Sequence, residues 1–266
     1  MAILNATPDS FSDGGRFLAL DQAVARAEQL VADGTDVIDI GGESTRPGAA
    51  PVALADELAR VIPLISALRS RINIPISIDT RKPAVARAAI AAGATIWNDV
   101  TGLTGASDSL AVAADLGCAV VLMHMQGEPD RMQDSPSYQD VAAEVTDWLA
   151  GRADAAMAAG VARTGIWLDP GIGFGKTLAH NLSLVAALDR IVDLGFPVLV
   201  GASRKGMIRA IDPTAADPVR RLGGSLALAL AAGRAGAAMV RVHDARETVQ
   251  ALEVAAAIDR ARVAND

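Results

Sequence analysis

The sequence predicts an α/β fold, a closed (β/α)8 TIM barrel, on three observations. Eight short runs rich in Val, Ile and Leu alternate with Ala-rich stretches of helical period. Several of the helical stretches stop at a glycine just before the next run, as a left-handed C-terminal cap would produce. Each apolar run ends in, or is closely followed by, a residue able to hydrogen-bond or carry charge. No Pro-, Ser- or Gly-rich linker and no shift of composition divides the 266 residues, so one domain over 1–266 is expected.

In chain order, the strand candidates are Ala2–Leu4, Asp36–Ile40, Pro75–Ile78, Ala94–Trp97, Ala119–Met123, Ile166–Leu168, Pro197–Val200 and Ala238–Val242. Their nearly unbroken apolar character suits parallel strands covered on both faces. Between them, helical period appears at Leu20–Ala32, Leu54–Leu68, Pro83–Ala92, Ser107–Leu116, Val141–Ala159 and Arg220–Ala232. An open doubly wound sheet uses the same order of elements, so the strand count does not by itself close the barrel. Closure is favoured by Asn5, Asp39, Asp79, Asn98, His124, Asp169, Ser203, Arg241 and His243, which follow the strands. A barrel gathers such positions on its C-terminal face, where active sites are built.

Composition narrows the function. With 51% hydrophobic residues, 3% aromatics and a mean hydropathy of +0.30, the chain has ample material for an aliphatic core and is not disordered. No uncharged stretch approaches the ~20 apolar residues of a membrane span, so no membrane association is expected. A net charge of −7 and a pI near 5.0 argue against nucleic acid as a partner, though not against a local anion site. The N-terminus lacks the basic flank and apolar core of a secretory signal, which points to the cytoplasm. Cys118 is the single cysteine, which rules out a disulfide framework, and His124 and His180 lack a zinc-ligand spacing.

The motifs carry more. Asn5 opens a hydroxyl- and carboxylate-rich loop to Gly15, longer than a simple βα turn needs. Asp39 begins a second such segment, in which Thr45 and Arg46 lie between glycine and proline turns where they could fold over an anionic ligand. Asp79 and Asn98 close the third and fourth strands; the carboxylate either pairs internally with Arg81, Lys82 or a backbone amide, or awaits a ligand with N–H donors. Gly171 and Gly175 enclose three residues where the nucleotide-binding Walker loop needs four, so ATP is rejected. Ser203-Arg204-Lys205 follows the seventh strand and Arg241-Val-His243 the eighth, with Arg241 and His243 on one side of it. Loops after these strands often hold phosphate in barrel enzymes, although the same bases could simply neutralise Asp79 and Asp169.

These segments, in this order, resemble the dihydropteroate synthases over nearly the whole chain: Ile3-Leu-Asn-Ala-Thr-Pro-Asp-Ser-Phe-Ser-Asp-Gly-Gly15, Gly41-Gly-Glu-Ser-Thr-Arg-Pro-Gly48, Ser77-Ile-Asp-Thr80, Asn98-Asp-Val100, Met123-His-Met-Gln-Gly127, Asp169-Pro-Gly-Ile-Gly-Phe-Gly175, Ser203-Arg-Lys205 and Arg241-Val-His-Asp244. The resemblance implies a homodimeric barrel that condenses 6-hydroxymethyl-7,8-dihydropterin diphosphate with p-aminobenzoate, assisted by Mg²⁺, to 7,8-dihydropteroate and diphosphate. By that resemblance Asp79, Asn98, Met123, Asp169 and Lys205 hold the pterin. Asn5 would contact Mg²⁺ and, with Thr45, Arg46, Arg241 and His243, the diphosphate. Thr45, Pro47, Phe174, Ser203 and Lys205 would form the p-aminobenzoate pocket, Asp39 would order the loop, and Asp79, Asp169, Lys205 and Arg241 would be the catalytic groups. The ordinary form of the Gly41–Gly48 segment implies that sulfonamides compete with p-aminobenzoate. Two rivals share parts of the pattern: a pterin-binding methyltransferase module and a non-catalytic binder. Ile172 stands where relatives often carry a larger apolar residue, and the chain starts almost at its first strand, so exposed apolar surface is expected at the barrel's N-terminal end.

Overall fold

The computed structural model describes residues 1–6, 15–44, 50–128 and 131–263. Its strands are β1 (Ala2–Asn5), β2 (Ile38–Gly41), β3 (Ile76–Asp79), β4 (Ile96–Asp99), β5 (Ala119–Met123), β6 (Ile166–Asp169), β7 (Leu199–Val200) and β8 (Met239–Val240). The helices between and after them are α1 (Gly15–Ala32), α2 (Leu54–Arg69), α3 (Pro83–Ala92), α4 (Ser109–Leu116), α5 (Val141–Ala158), α6 (Leu178–Ala186), α7 (Leu188–Val192), α8 (Gly206–Ile211), α9 (Leu222–Arg234) and α10 (Ala245–Val263). Of these, α6, α7, α8 and α10 lie outside the helical stretches that the sequence pattern marked.

Strands β1 to β6 pair in parallel in sequence order, and β7 pairs with β8. Two seams join these sheets into a ring. Leu168 forms a parallel bridge with Val198, and its N–H donates to the Pro197 carbonyl at 3.0 Å. Ala2 bridges Val242, where the Ile3 N–H donates to Val242 at 2.9 Å and the Val242 N–H to Met1 at 3.0 Å. These bonds close the barrel and set aside the open doubly wound arrangement.

Strand alternation divides the residues into two layers. Side chains facing the helices, among them Ile38, Ile40, Ile76, Ile78, Trp97, Val120, Leu122, Ile166 and Leu168, pack against the inner faces of α2, α3 and α5 in the main apolar core. Inward-facing Met1, Val37, Val121 and Leu199, with Ile96, Trp167 and Met239 against them, form a separate cluster inside the barrel. Val37, Ile96, Val121, Trp167, Leu199 and Met239 each lie two residues before Asp39, Asn98, Met123, Asp169, Gly201 or Arg241. An apolar plug therefore fills the barrel beneath a polar mouth. Met1 belongs to this plug and is only 7% exposed.

Glycine caps end the helices as the pattern predicted: Gly93 follows α3 at φ 118° and Gly117 follows α4 at φ 59°. Asp140 caps α5, accepting from the Ala142 and Ala143 N–H groups at 3.0 and 3.1 Å. No helix among the described residues is long and apolar enough to cross a membrane.

Trp97 is fully buried on β4 and donates its indole N–H to the Thr80 carbonyl at 2.7 Å, tying β3 to its neighbour outside the ladder. Truncating Trp97 to Ala leaves a large cavity and an unpaired carbonyl. It is expected to cost about 3–5 kcal/mol, read as a lower urea midpoint in equilibrium unfolding.

Candidate active site

Arg241 organises the centre of the mouth. It leaves β8 pointing inward and donates from Nε to Asp39 Oδ2 at 2.6 Å and from Nη2 to Asp79 Oδ2 at 2.7 Å. Asn98, one strand over from Asp79 in direct register, donates from Nδ2 to the same Asp39 oxygen at 3.3 Å. The other oxygen of Asp39 is buried with no hydrogen-bond partner, so this fully buried carboxylate depends on Arg241 for its charge compensation. Burial opposes the Arg241 charge, but Asp39 and Asp79 outweigh it and hold the guanidinium more firmly protonated than usual. Burial pushes the Asp79 carboxyl well up, with Arg241 pulling against it and Asp39 adding to the rise.

A second acid enters from β6. Asp169 turns one carboxylate oxygen back to accept the Gly171 N–H at 2.7 Å, and burial pushes its pKa up to about 6. Gly171 has φ +66°, and a Cβ there would lie 1.9 Å from the His124 carbonyl oxygen, so only glycine fits. The loop then lifts Phe174 into an apolar mouth cluster with Val100, Met123 and Met132. The Lys205 ammonium lies over the Phe174 ring, 4.0 Å from its centroid. Burial, and then Arg241, pull the Lys205 pKa down to about 8.

The turn carrying Lys205 is braced on three sides. Arg204 occupies the left-handed region at φ +56°, unfavourable for a residue with a Cβ. Its carbonyl accepts from Arg221 at 2.9 Å, its N–H donates to Ser225 Oγ at 2.9 Å, and its guanidinium makes two bonds to Asp244. Ser203 Oγ accepts the His243 N–H at 3.2 Å and lies 3.1 Å from His243 Nδ1. The loops after β7 and β8 are thereby one unit.

One cavity of about 910 Å³ is lined by Asn5, Asp79, Phe174, Ser203, Lys205, Arg241 and His243 together. Asn98, Met123 and Asp169 join them through the contacts above. Thr45, Arg46 and Pro47 lie outside the described residues. Asp39 is placed in β2 rather than on the loop that follows it, and its contacts are with Arg241 and Asn98. Asp79 pairs with neither Arg81 nor Lys82. Arg81 pairs with Glu43 at 3.1 Å, and Lys82 with Glu43 and with Glu57, the latter at 2.5 Å. His124 is not a mouth residue: it follows the inward Met123, turns outward, and stacks edge-on against Trp148 at 5.0 Å. The sequence reading gave no role to Lys176, which is buried beneath the glycine loop; its single cue was the scarcity of lysine.

The raised pKa of Asp169 ties stability to pH. Below about pH 4 the group is protonated whether the chain is folded or not. Between about 4 and 6 the unfolded chain gives up its proton while the native protein keeps it, so native stability falls as pH rises through this window. Asp169→Asn removes that dependence. Its stability relative to the unmodified protein should improve by up to about 3 kcal/mol from pH 4 to pH 7, measured by urea unfolding at both values.

A family model described as pterin binding enzyme matches residues 1–243. Dihydropteroate synthase of Escherichia coli (strain K12) is 48% identical over 254 residues, covering 96% of this chain and 89% of that protein. The structure of Xanthomonas albilineans dihydropteroate synthase with 4-aminobenzoic acid superposes with a TM-score of 0.91 at 47% identity, over 97% of this chain and 92% of that one. Yersinia pestis dihydropteroate synthase in a sulfonamide drug complex gives a TM-score of 0.91 at 45% identity, over 98% and 94%. With sequence and backbone matched along almost its full length, and with the acids, amide and bases of its motifs gathered in one barrel mouth, the chain belongs to the pterin-binding enzyme family.

Proposed function

We propose that this chain is a transferase with the dihydropteroate synthase activity of folate biosynthesis, joining 6-hydroxymethyl-7,8-dihydropterin diphosphate to p-aminobenzoate and releasing diphosphate. The observation that carries this reading is the grouping, in one cavity, of Asp79 and Arg241 with a lysine stacked on an aromatic ring. Carboxylates suit the amino and ring N–H groups of a pterin, paired bases suit a diphosphate, and Phe174 offers a face for a benzoate ring.

Asp79, Asn98 and Asp169 bind the pterin donors, Lys205 its acceptor edge, and Met123 packs on the ring. Arg241 and His243 bind the diphosphate, with Asn5, Thr45 and Arg46. Phe174, Ser203 and the Lys205 stem, with Thr45 and Pro47, bind p-aminobenzoate. Among the described residues no group of three or more His, Cys, Asp or Glu could hold a metal ion. The Asn5 amide oxygen at the cavity wall still suits Mg²⁺, a hard cation that keeps most of its ligands as water and substrate oxygens. Bound there, the ion would offset charge on the leaving diphosphate.

In the reaction the bond from the exocyclic methylene carbon to the diphosphate oxygen breaks, its electron pair leaving with diphosphate. The aromatic amine nitrogen bonds to that carbon and loses a proton. Asp79 and Asp169, both buried, favour positive charge on the departing pterin methylene, while Arg241 holds the leaving group. No covalent bond to the protein is required. The family resemblance also carries a cytoplasmic homodimer, which light scattering of the purified protein tests.

Purified protein supplied with Mg²⁺, the pterin diphosphate and p-aminobenzoate should form dihydropteroate and diphosphate in equal amounts by chromatography, and a chelator should abolish both. Pterin binding without product would assign the chain to the non-catalytic binders. Sulfonamides should inhibit, and added p-aminobenzoate should relieve the inhibition; inhibition that it cannot relieve would contradict the shared pocket. Asp79→Ala should weaken pterin binding by about 2–5 kcal/mol, read by calorimetry, because it leaves the pterin N–H donors without their buried acceptor.

A further inference from the structure

Lys176 follows the glycine loop and is 3% exposed, yet none of the roles above uses it. Its ammonium has three protons and meets three acceptors at bonding distance: the Gly171 carbonyl at 3.0 Å, the Phe174 carbonyl at 3.1 Å and His124 Nδ1 at 3.0 Å. A fourth oxygen, the His124 carbonyl, is more distant at 3.4 Å. In its ammonium form Lys176 has no lone pair, so His124 Nδ1 then accepts and its proton sits on Nε2; burial pulls the Lys176 pKa down to about 7, with Asp169 pulling against it. The environment enforces that neutral form, since burial and then the Lys176 charge pull the His124 pKa down to about 3.

Every other group around the loop fixes the same backbone. Asn181 Oδ1 accepts the Gly173 N–H at 2.7 Å, while its Nδ2 donates to the Lys176 and Thr177 carbonyls. Tyr138 donates its hydroxyl to the Gly175 carbonyl at 2.9 Å and stands against the His124 ring. A Cβ at Gly175 would come within 2.3 Å of the Gln126 carbonyl oxygen, which shows how closely the loop lies on the segment after β5. The loop's upper side meets the ligand cavity: Phe174 carries the Lys205 ammonium, and a Cβ on Gly173 would sit 3.2 Å from Lys205 Cδ. Lys176 thus bonds the carbonyl of Phe174 itself, and both residues belong to the wall of the cavity.

We infer that Lys176, backed by His124 and Tyr138, is a positioning residue that sets the height and tilt of Phe174, and through it of Lys205, for the aromatic amine substrate. The inference rests on the synthase reading and deepens it. The Lys176 ammonium spends its donors on Gly171, Phe174 and His124 within the protein. Its effect is to help Ile172, which packs in the main core, keep a glycine-rich segment in the conformation that presents the ring. Displacement of a contact group by a fraction of an ångström to an ångström is enough to cost one to two orders of magnitude in a reaction that depends on orientation.

The test is steady-state kinetics with both substrates varied, on the unmodified protein, Lys176→Met and Tyr138→Phe. Lys176→Met, which keeps the stem and removes the donors, should raise KM for p-aminobenzoate at least about tenfold, more than it raises KM for the pterin diphosphate. Saturating p-aminobenzoate should recover most of kcat. Tyr138→Phe removes one hydroxyl from a half-buried ring and should raise the same KM about two- to fivefold. A purely structural role would lower the amount of active enzyme and leave both KM values in place; that result in Lys176→Met overturns the inference. If Lys176→Met fails to fold, Tyr138→Phe decides, and an unaltered p-aminobenzoate KM there overturns it. No turnover by the unmodified protein would sink the synthase reading itself, a result distinct from turnover with unmoved KM values.

Discussion

The barrel mouth is built around a single buried guanidinium. Arg241 holds two carboxylates from two other strands, and none of the three could be buried at this depth alone, since an unpaired charge removed from water costs several kcal/mol. The pairing across β2, β3 and β8 also fixes where those strand ends sit relative to one another. Geometry imposes the rest. Once Asp39 and Asp79 face Arg241, the pleat turns Val37 and Ser77 inward beneath them, and sends Ile38, Ile40, Ile76 and Ile78 to the helices.

That arrangement is closed on itself before a ligand arrives, which is chemically economical. Under the roles proposed, one substrate presents N–H donors to Asp79 and phosphate oxygens to Arg241. Binding then exchanges a buried ion pair for two contacts of the same signs, and neither group is left uncompensated at any stage. Truncating one partner of such a pair is costly because the other stays behind. The lowered Lys205 pKa and the raised Asp169 pKa arise from the same enclosure, with burial the dominant cause of each.

Much of this was legible in the sequence because it depends on alternation and order. All eight strands lie within or beside the apolar runs, although β7 and β8 are only two residues long, their remaining groups bonding singly at the seams. Asp79, Asn98, Asp169 and Arg241 lie in the mouth as their positions after strands implied, and Phe174, which only the resemblance named, lines the same cavity. His124 was grouped with them wrongly, yet its parity was readable: Met123 faces in, so its neighbour must face out. Asp99 beside Asn98 obeys the same rule and spends its oxygens on Thr101 and Leu103. The pairing of Arg241 with Asp39 was not readable, because it spans 202 residues and the strand order closes only through the seam between β1 and β8. Helix α10 escaped notice because its charged, largely exposed surface shows little apolar period.

The choice of base is a last consequence of geometry. Where two nitrogens of one base must reach two carboxylate oxygens, as Arg241 does for Asp39 and Asp79 and Arg204 does for Asp244, the chain uses the flat fork of arginine. Its three lysines, Lys82, Lys176 and Lys205, stand near the C-terminal face, and none has a forked partner. Lys82 joins carboxylates from two elements, one at the root of the segment after β2 and one on α2; Lys176 joins carbonyls and a ring nitrogen around a curved loop; Lys205 lies over a ring. A compact ammonium with tetrahedral donors can serve such non-coplanar partners, and a guanidinium in the same space could satisfy only some of them. In a chain with 24 basic residues, all but three of them arginine, the lysines therefore mark the points where the loops of the mouth are fastened to the barrel or laid over an aromatic face.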